Sequence, residues 1–341
     1  MIRKVDLTVV WPLATVARVM IGIKMKTLLL VLALMLTATQ ASAQLKKVRL
    51  SATSVAVTEL QFRIALLKGF YRDEGLDVEI ILIRGALGMQ ALLGGSVDYT
   101  SAAGSIIAAA TRGIPVRLVL VVNSKPQFDM VGQADIKSVS QLKGKIVGIS
   151  SRGGAVDILT QTILAQHGVT ANKDATLMVI GSPEELVTAL RTGRIAACLL
   201  TQPRQLILYR EGFTRLAYSG DYFSSYPTGG VGTTEEKIKN NTAEVMGFVR
   251  ASLKGLQYFA QHRNESIDII SKYLGIKDRS LAAEVYDLQV SRLGGLSYLD
   301  DAWQRGAIDF TKKSMGLVKD VPPNQVLDFS FAEKAAGRSK N

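Results

Sequence analysis

Apolar residues along this chain recur at two spacings. Short apolar runs bounded by glycine and polar turns, Lys47 to Ala52, Val78 to Ile83, Val97 to Thr100 and Val116 to Val122, predict strands. Between them the spacing is helical: Phe62, Ala65 and Leu66 ahead of Gly69, then Met89, Leu92 and Leu93 ahead of Gly94-Gly95, then Ile106 to Thr111 ahead of Gly113. Strands and helices alternating across short loops predict an α/β layer built on parallel sheet.

The alternation restarts after Gly132. Ile146-Val147-Gly148-Ile149 reads as a strand, Ser150 to Gly154 as a polar turn, and Val156, Leu159 and Ile163 as one face of a helix ending near His167-Gly168. Thr176 to Ile180 is a strand, Pro183 opens a helix whose apolar face is Leu186, Ala189 and Leu190, and Ile195 to Leu200 is a buried strand. One helix-turn-strand element recurs: Ala91 to Asp98 matches Thr188 to Ile195, where Ala196 replaces the aspartate. From Thr233 the pattern is helical throughout. Thr233 and Glu236 predict a capping box. Val245, Phe248, Val249, Leu256 and Phe259 then form a long apolar face with the small Ser252 in its middle, and Ile267 to Leu274, Leu281 to Leu288 and Ala302 to Phe310 continue in that style.

The start of the chain bears on location. Lys24-Met25-Lys26, the apolar stretch Leu28 to Leu36 and Ala41-Ser42-Ala43 have the form of a secretory signal cut after Ala43, its apolar core too short to span a bilayer. Met25 makes an ordinary signal start, so Met1 to Lys24 read as a gene-boundary error. Gln44 stands where a lipoprotein needs cysteine, and the expected product is a freely diffusing periplasmic protein. Cleavage lowers the net charge from +12 to +8 and leaves 298 residues, enough for two lobes. The basic residues are dispersed, without aromatic interleaving or zinc-finger spacing, which argues against nucleic acid as a partner. The one cysteine, Cys198, sits in an apolar run and reads as a buried small hydrophobe.

A search for catalytic chemistry finds little. His167 and His262 are the only histidines and lack metal-ligand spacing, and neither G-x-S-x-G nor a P-loop is present, so no metal, no cofactor and no catalytic set are expected. The adjacent carboxylates Asp73/Glu74, Glu184/Glu185 and Asp300/Asp301 read as solvated or capping groups. What remains is a series of small polar turns at the C-terminal ends of predicted strands, where open α/β sheets bind ligands. The candidate ligand-binding residues are Ser54, Thr58, Gly85, Ala86, Ser101, Ala102, Ser150, Ser151, Arg152, Gly153, Thr201 and Gln202. The turn Ser150 to Gly154 precedes a helix N-terminus, whose free N–H groups and dipole suit an anionic or strongly polar group, with Arg152 as a candidate charge-assisted partner.

Four stretches carry a family resemblance: Ala65 to Glu79 (ALLKGFYRDEGLDVE), Ala91 to Asp98, Ala108 to Val116 (AAATRGIPV) and Leu142 to Gly148 (LKGKIVG). The chain resembles the nitrate/sulfonate/taurine group of ABC-transporter substrate-binding proteins, which includes receptors for thiamin-pyrimidine precursors. That resemblance implies a type II periplasmic-binding-protein fold, two α/β lobes joined by a two-stranded hinge, with a helical C-terminal part on lobe one. Lobe one would comprise residues 44–128 and 223–334, lobe two residues 129–222, and 335–341 a polar tail. It further implies a monomeric receptor that closes on a small-molecule ligand and passes it to an ABC permease with its ATPase, touching the membrane complex only peripherally. Where the family often has Gly-x-Val-Asp-Ala in the second lobe, this chain has Gly193-Arg194-Ile195-Ala196-Ala197. Two alternatives stay open: a small-molecule enzyme on the same scaffold, such as one of thiamin-pyrimidine metabolism, and a receptor that docks to a sensor protein. Basic charge and the helix N-terminus lean toward an anionic ligand, while Val55-Ala56-Val57 and Ala86-Leu87 suit a ring or alkyl tail.

Overall fold

A computed structural model describes residues 44–83, 86–153, 155–293 and 299–337, so the expected signal and the end of the tail lie outside it. The first stretch runs β1 (Lys46–Ala52), α1 (Leu60–Leu67), α2 (Phe70–Asp73), β2 (Leu76–Leu82), α3 (Ala86–Leu93), β3 (Tyr99–Thr100), α4 (Ala103–Thr111) and β4 (Val116–Asn123). The second runs β5 (Asp129–Gly132), β6 (Ile146–Ile149), α5 (Ala155–Gln166), β7 (Thr176–Val179), α6 (Pro183–Arg191), β8 (Ala197–Leu200), α7 (Arg204–Arg210) and β9 (Thr214–Tyr218). Then follow β10 (Gly229–Thr234), α8 (Glu235–Asn240), α9 (Thr242–Gln261), α10 (Arg263–Leu274), α11 (Arg279–Arg292), α12 (Asp301–Ser314) and α13 (Ser330–Ala335).

Two five-stranded sheets result, ordered β2-β1-β3-β10-β4 and β7-β6-β8-β5-β9. Their plans match. Four strands run in one direction, and the fourth in order, β10 in one sheet and β5 in the other, runs antiparallel between its neighbours. In each sheet that antiparallel strand is the one the chain lays down immediately after crossing from the other sheet. The crossovers, residues 124–128 and 219–228, are bonded to each other: Ser219 N–H donates to the Phe128 carbonyl at 2.8 Å, Phe128 N–H to Ser219 Oγ at 3.0 Å, and Thr228 N–H to the Asn123 carbonyl at 3.1 Å. The C-terminal helices brace them, because the Trp303 indole of α12 donates to the Ser124 carbonyl at 3.2 Å.

The long helix α9 organises the core of the first lobe. Phe248 stacks on Tyr99, with ring centroids 4.0 Å apart, and on Tyr71 at 5.1 Å. The small polar Ser252 has a definite purpose there: its hydroxyl meets the buried Tyr71 phenol at 2.9 Å, which a larger apolar residue would leave unpaired. Gly255 lets α9 lie directly on α1, since a Cβ at that position would fall on the Gln61 carbonyl oxygen.

The repeated element makes the same glycine turn in both lobes. Gly95 and Gly193 both take φ of +71°, Gly95 N–H and Gly193 N–H donate to the Leu92 and Leu190 carbonyls, and Val97 and Ile195 are buried behind them. Asp98 accepts from Arg49 N–H at 2.8 Å and Lys237 Nζ at 2.6 Å, bonds that Ala196 forgoes in the second lobe. One capping expectation needs correction. The β10–β4 ladder carries on to Thr234, so Thr233 is a strand residue whose buried hydroxyl donates to the Asp98 carbonyl, and Thr234 caps α8 by accepting from Lys237 N–H. Of the adjacent carboxylates, Glu185 forms a capping box with Ser182, Asp300 caps α12, and Glu74 pairs with Arg250 and Lys254.

Candidate functional site

Loops at the C-terminal ends of the strands of both sheets meet beside the crossovers and enclose a cleft of about 360 Å³. Thr53, Ala102 and Ser105 contribute from the first sheet, Ala155 from the first turn of α5 in the second, and Phe128 and Tyr226 from the crossovers. The aromatic side is fixed by packing, because Phe310 of α12 sits edge-on to Tyr226 at 4.9 Å and to Phe223 at 5.3 Å.

The candidate residues fall into three groups. Ser101 and Ala102 stand in the cleft wall, Ala102 directly and Ser101 one layer behind, its buried hydroxyl donating to Glu59 Oε1 at 2.7 Å. Ser54 lies half-buried in the loop after β1, Ala86 begins α3, and Gly85 lies outside the described residues. A second group joins a buried amide network near the crossovers. The Thr58 carbonyl accepts from Asn123 Nδ2 at 3.4 Å, Asn123 Oδ1 accepts from Gln127 and Gln289, and Gln289 Oε1 accepts from Gln202 Nε2 at 2.9 Å. Thr201, next to Gln202, is half-buried and its carbonyl receives Arg204 N–H.

The third group, the turn after β6, is already served by the protein. Ser150 is half-buried, while Ser151 and Arg152 are exposed. The Arg152 guanidinium donates to the Leu177 carbonyl at 2.6 Å on β7, and Gly153 N–H donates to Asp157 Oδ2 at 2.7 Å. Asp157, buried in the first turn of α5, thus supplies the carboxylate that the helix N-terminus favours.

Several residues at the site escape sequence reading. Glu59 is 5% exposed, accepts both the Thr53 hydroxyl at 2.8 Å and the Ser101 hydroxyl, and leaves Oε2 with no partner; burial pushes its carboxyl up to about 7. Asp129, at the start of β5, is buried against the Arg292 guanidinium at 2.6 Å, with Tyr209 at 3.1 Å and Arg215 at 3.6 Å. Arg292 reaches it from the last turn of α11 and stacks over Tyr218. The available signal is a polar residue on an apolar stripe: Glu59 is in helical register with Phe62 and Leu66, and Gln289 with Val285.

The family model described as "NMT1/THI5 like" matches residues 60–266, a span that takes in strands of both sheets and most of the cleft. The chain is a member of the NMT1/THI5-like family. Among relatives of this NMT1/THI5-like chain, YtlA of Bacillus subtilis is 23% identical over 310 residues, 88% of this chain and 92% of YtlA. The riboflavin-binding protein RibY of Chloroflexus aurantiacus is 24% identical over 268 residues, 72% of this chain and 74% of RibY. In structure the chain is similar to the periplasmic aliphatic sulphonate binding protein SsuA of Escherichia coli, with a TM-score of 0.66 at 18% identity, covering 82% of this chain and 91% of SsuA. This likeness gives the fold: two α/β lobes in the periplasmic-binding-protein arrangement. Among the described residues no helix is long and apolar enough to cross a membrane.

Proposed function

We propose that this protein is a periplasmic receptor that binds a small polar organic solute between its lobes and delivers it to an ABC importer. The observation that carries the reading is the cleft itself, at the strand ends of two sheets between which the chain passes by two short bonded crossovers. Such a joint permits one lobe to rotate on the other, and ligands of open α/β sheets sit at strand C-termini. Relatives named for binding riboflavin and sulphonate agree with solute binding and differ in solute.

Binding without chemistry fits the placement of the reactive groups. His167 pairs with Tyr222, His262 stacks on Tyr258, and burial pushes the Cys198 thiol up to about 12; none of the three lines the cleft. The ligand-binding set, by this reading, centres on Thr53, Ala102 and Tyr226, with Ser101 behind them. Residues 25–43 would act as the export signal, and the permease and its ATPase as partners.

A thermal-shift screen of solutes tests this, because a ligand of the folded state raises the melting temperature by linkage. At least one solute class should raise it, and Ala102→Trp, which fills the cleft, should abolish the shift. The reading fails if no solute shifts the wild type, or if the shift survives Ala102→Trp.

A further inference from the structure

The wall around Thr53 has a polarity that the sequence does not suggest. A hydroxyl has one proton, and both wall hydroxyls spend theirs on the same acceptor, Thr53 Oγ1 and Ser101 Oγ each donating to Glu59 Oε1. Ser101 Oγ also accepts Thr53 N–H at 3.2 Å, so the lone pairs left to the cleft belong mainly to Thr53. Those two hydroxyls can accept hydrogen bonds from the cleft and have no proton left to donate.

Behind it stands a buried acid with no cation of its own. Among the described residues no lysine or arginine pairs with Glu59, and its Oε2 has no partner. The other ionisable groups facing it are Tyr273 of α10 and, beyond that ring, Arg63 of α1, whose guanidinium lies 5.4 Å over Tyr273. Across the cleft are the rings of Phe128 and Tyr226, whose π-faces attract cations. The features that favour an anion, Arg152 and the α5 N-terminus, are occupied by Leu177 and Asp157.

We propose that the cleft selects an organic ammonium ion, which donates to Thr53 Oγ1 while the ionised Glu59 carboxylate lies one hydrogen bond behind. Glu59 is then a positioning residue acting through Thr53. This rests on the receptor reading and names the ligand class for it. The proton balance follows. A carboxyl that is largely protonated below neutrality loses its proton to solvent when the ammonium arrives, so affinity rises with pH through about 7 and levels off above.

The test is a matched set of ring compounds: benzylamine, benzyl alcohol, benzoate and benzenesulfonate, each titrated into the purified protein by calorimetry at pH 6 and pH 8. Benzylamine is a cation at both. It should bind best of the four, up to about tenfold more tightly at pH 8 than at pH 6, with proton release detected by changing the buffer at pH 6. Glu59→Gln should weaken benzylamine about tenfold at pH 8 and flatten its pH profile. If that variant does not fold, the wild-type pH profile and Thr53→Val, which removes the acceptor and leaves Glu59 in place, decide the same point. Preference for benzoate or benzenesulfonate overturns the ammonium proposal and leaves the receptor reading standing. Benzylamine binding that is flat with pH overturns the role of Glu59. Failure of all four, with another solute active in the wider screen, overturns the proposal alone; failure of every solute overturns both.

Discussion

Glu59 puts a cost on the folded state that depends on pH. Its carboxyl is raised from 4.5 to about 7, so the native protein binds a proton that the unfolded chain has released. By linkage, stability falls as pH rises across that window, by about 3 kcal/mol in all, and is flat above it. Urea denaturation of wild type and Glu59→Gln between pH 4.5 and 8 should show that slope in the first and not in the second. Asp129 and Arg292 present the opposite case, a buried pair whose value lies in mutual neutralisation. Asp129→Ala strands a guanidinium only 6% exposed and is expected to cost about 3–5 kcal/mol. Arg292→Ala should cost less, because Arg215 and Tyr209 stay beside Asp129. Equilibrium unfolding of the two variants checks that order. Asp129 was not legible in the sequence, where it sits beside Phe128 as though it were a single exposed charge, and for Glu59 the only signal is its helical register with Phe62 and Leu66. Which residue lies opposite them depends on α11 and on the loop after β3, 163 and 42 positions away.

At the scale of elements, periodicity was a good guide because the buried faces are regular. The strands after Gly75, Gly113 and Gly144 and the helices at Ala103–Thr111, Pro183–Arg191 and Thr242–Gln261 lie where apolar spacing and turn glycines place them. Ends were less legible. The strand β10 runs one residue further than the capping pattern suggests, since the ladder bond opposite Val116 outcompetes an earlier helix start. Arg152 was legible as a polar turn residue but not as a partner of β7, because the direction of a long side chain is set by the neighbouring strand. Helix contact gives a sharper prediction. Gly255→Ala places a methyl on the Gln61 carbonyl, a backbone atom that moves only with α1, and should destabilise by about 1–3 kcal/mol. Because Glu59 is the residue from which α1 starts, the same substitution should also weaken ligand binding although it lies outside the cleft. Gly148→Ala, whose new methyl meets side chains (Ile195, Leu186 and Ile180) rather than backbone, should be milder. Thermal melts of the two side by side read the difference.

For the whole molecule, the two sheets share one plan, and the chain visits the second between β4 and β10 of the first. Export through the signal at residues 25–43 should leave Gln44 as the first residue of protein recovered from the periplasm, which N-terminal sequencing would read directly. Trp303 gives the crossovers an optical handle. It is the only tryptophan in residues 44–341, its indole N–H is held by the Ser124 carbonyl, and its emission colour follows the polarity and bonding of that N–H. Any rotation that lengthens the bond would shift the fluorescence, so the unlabelled protein carries its own gauge of lobe movement, readable in a stopped-flow instrument on the timescale of solute capture.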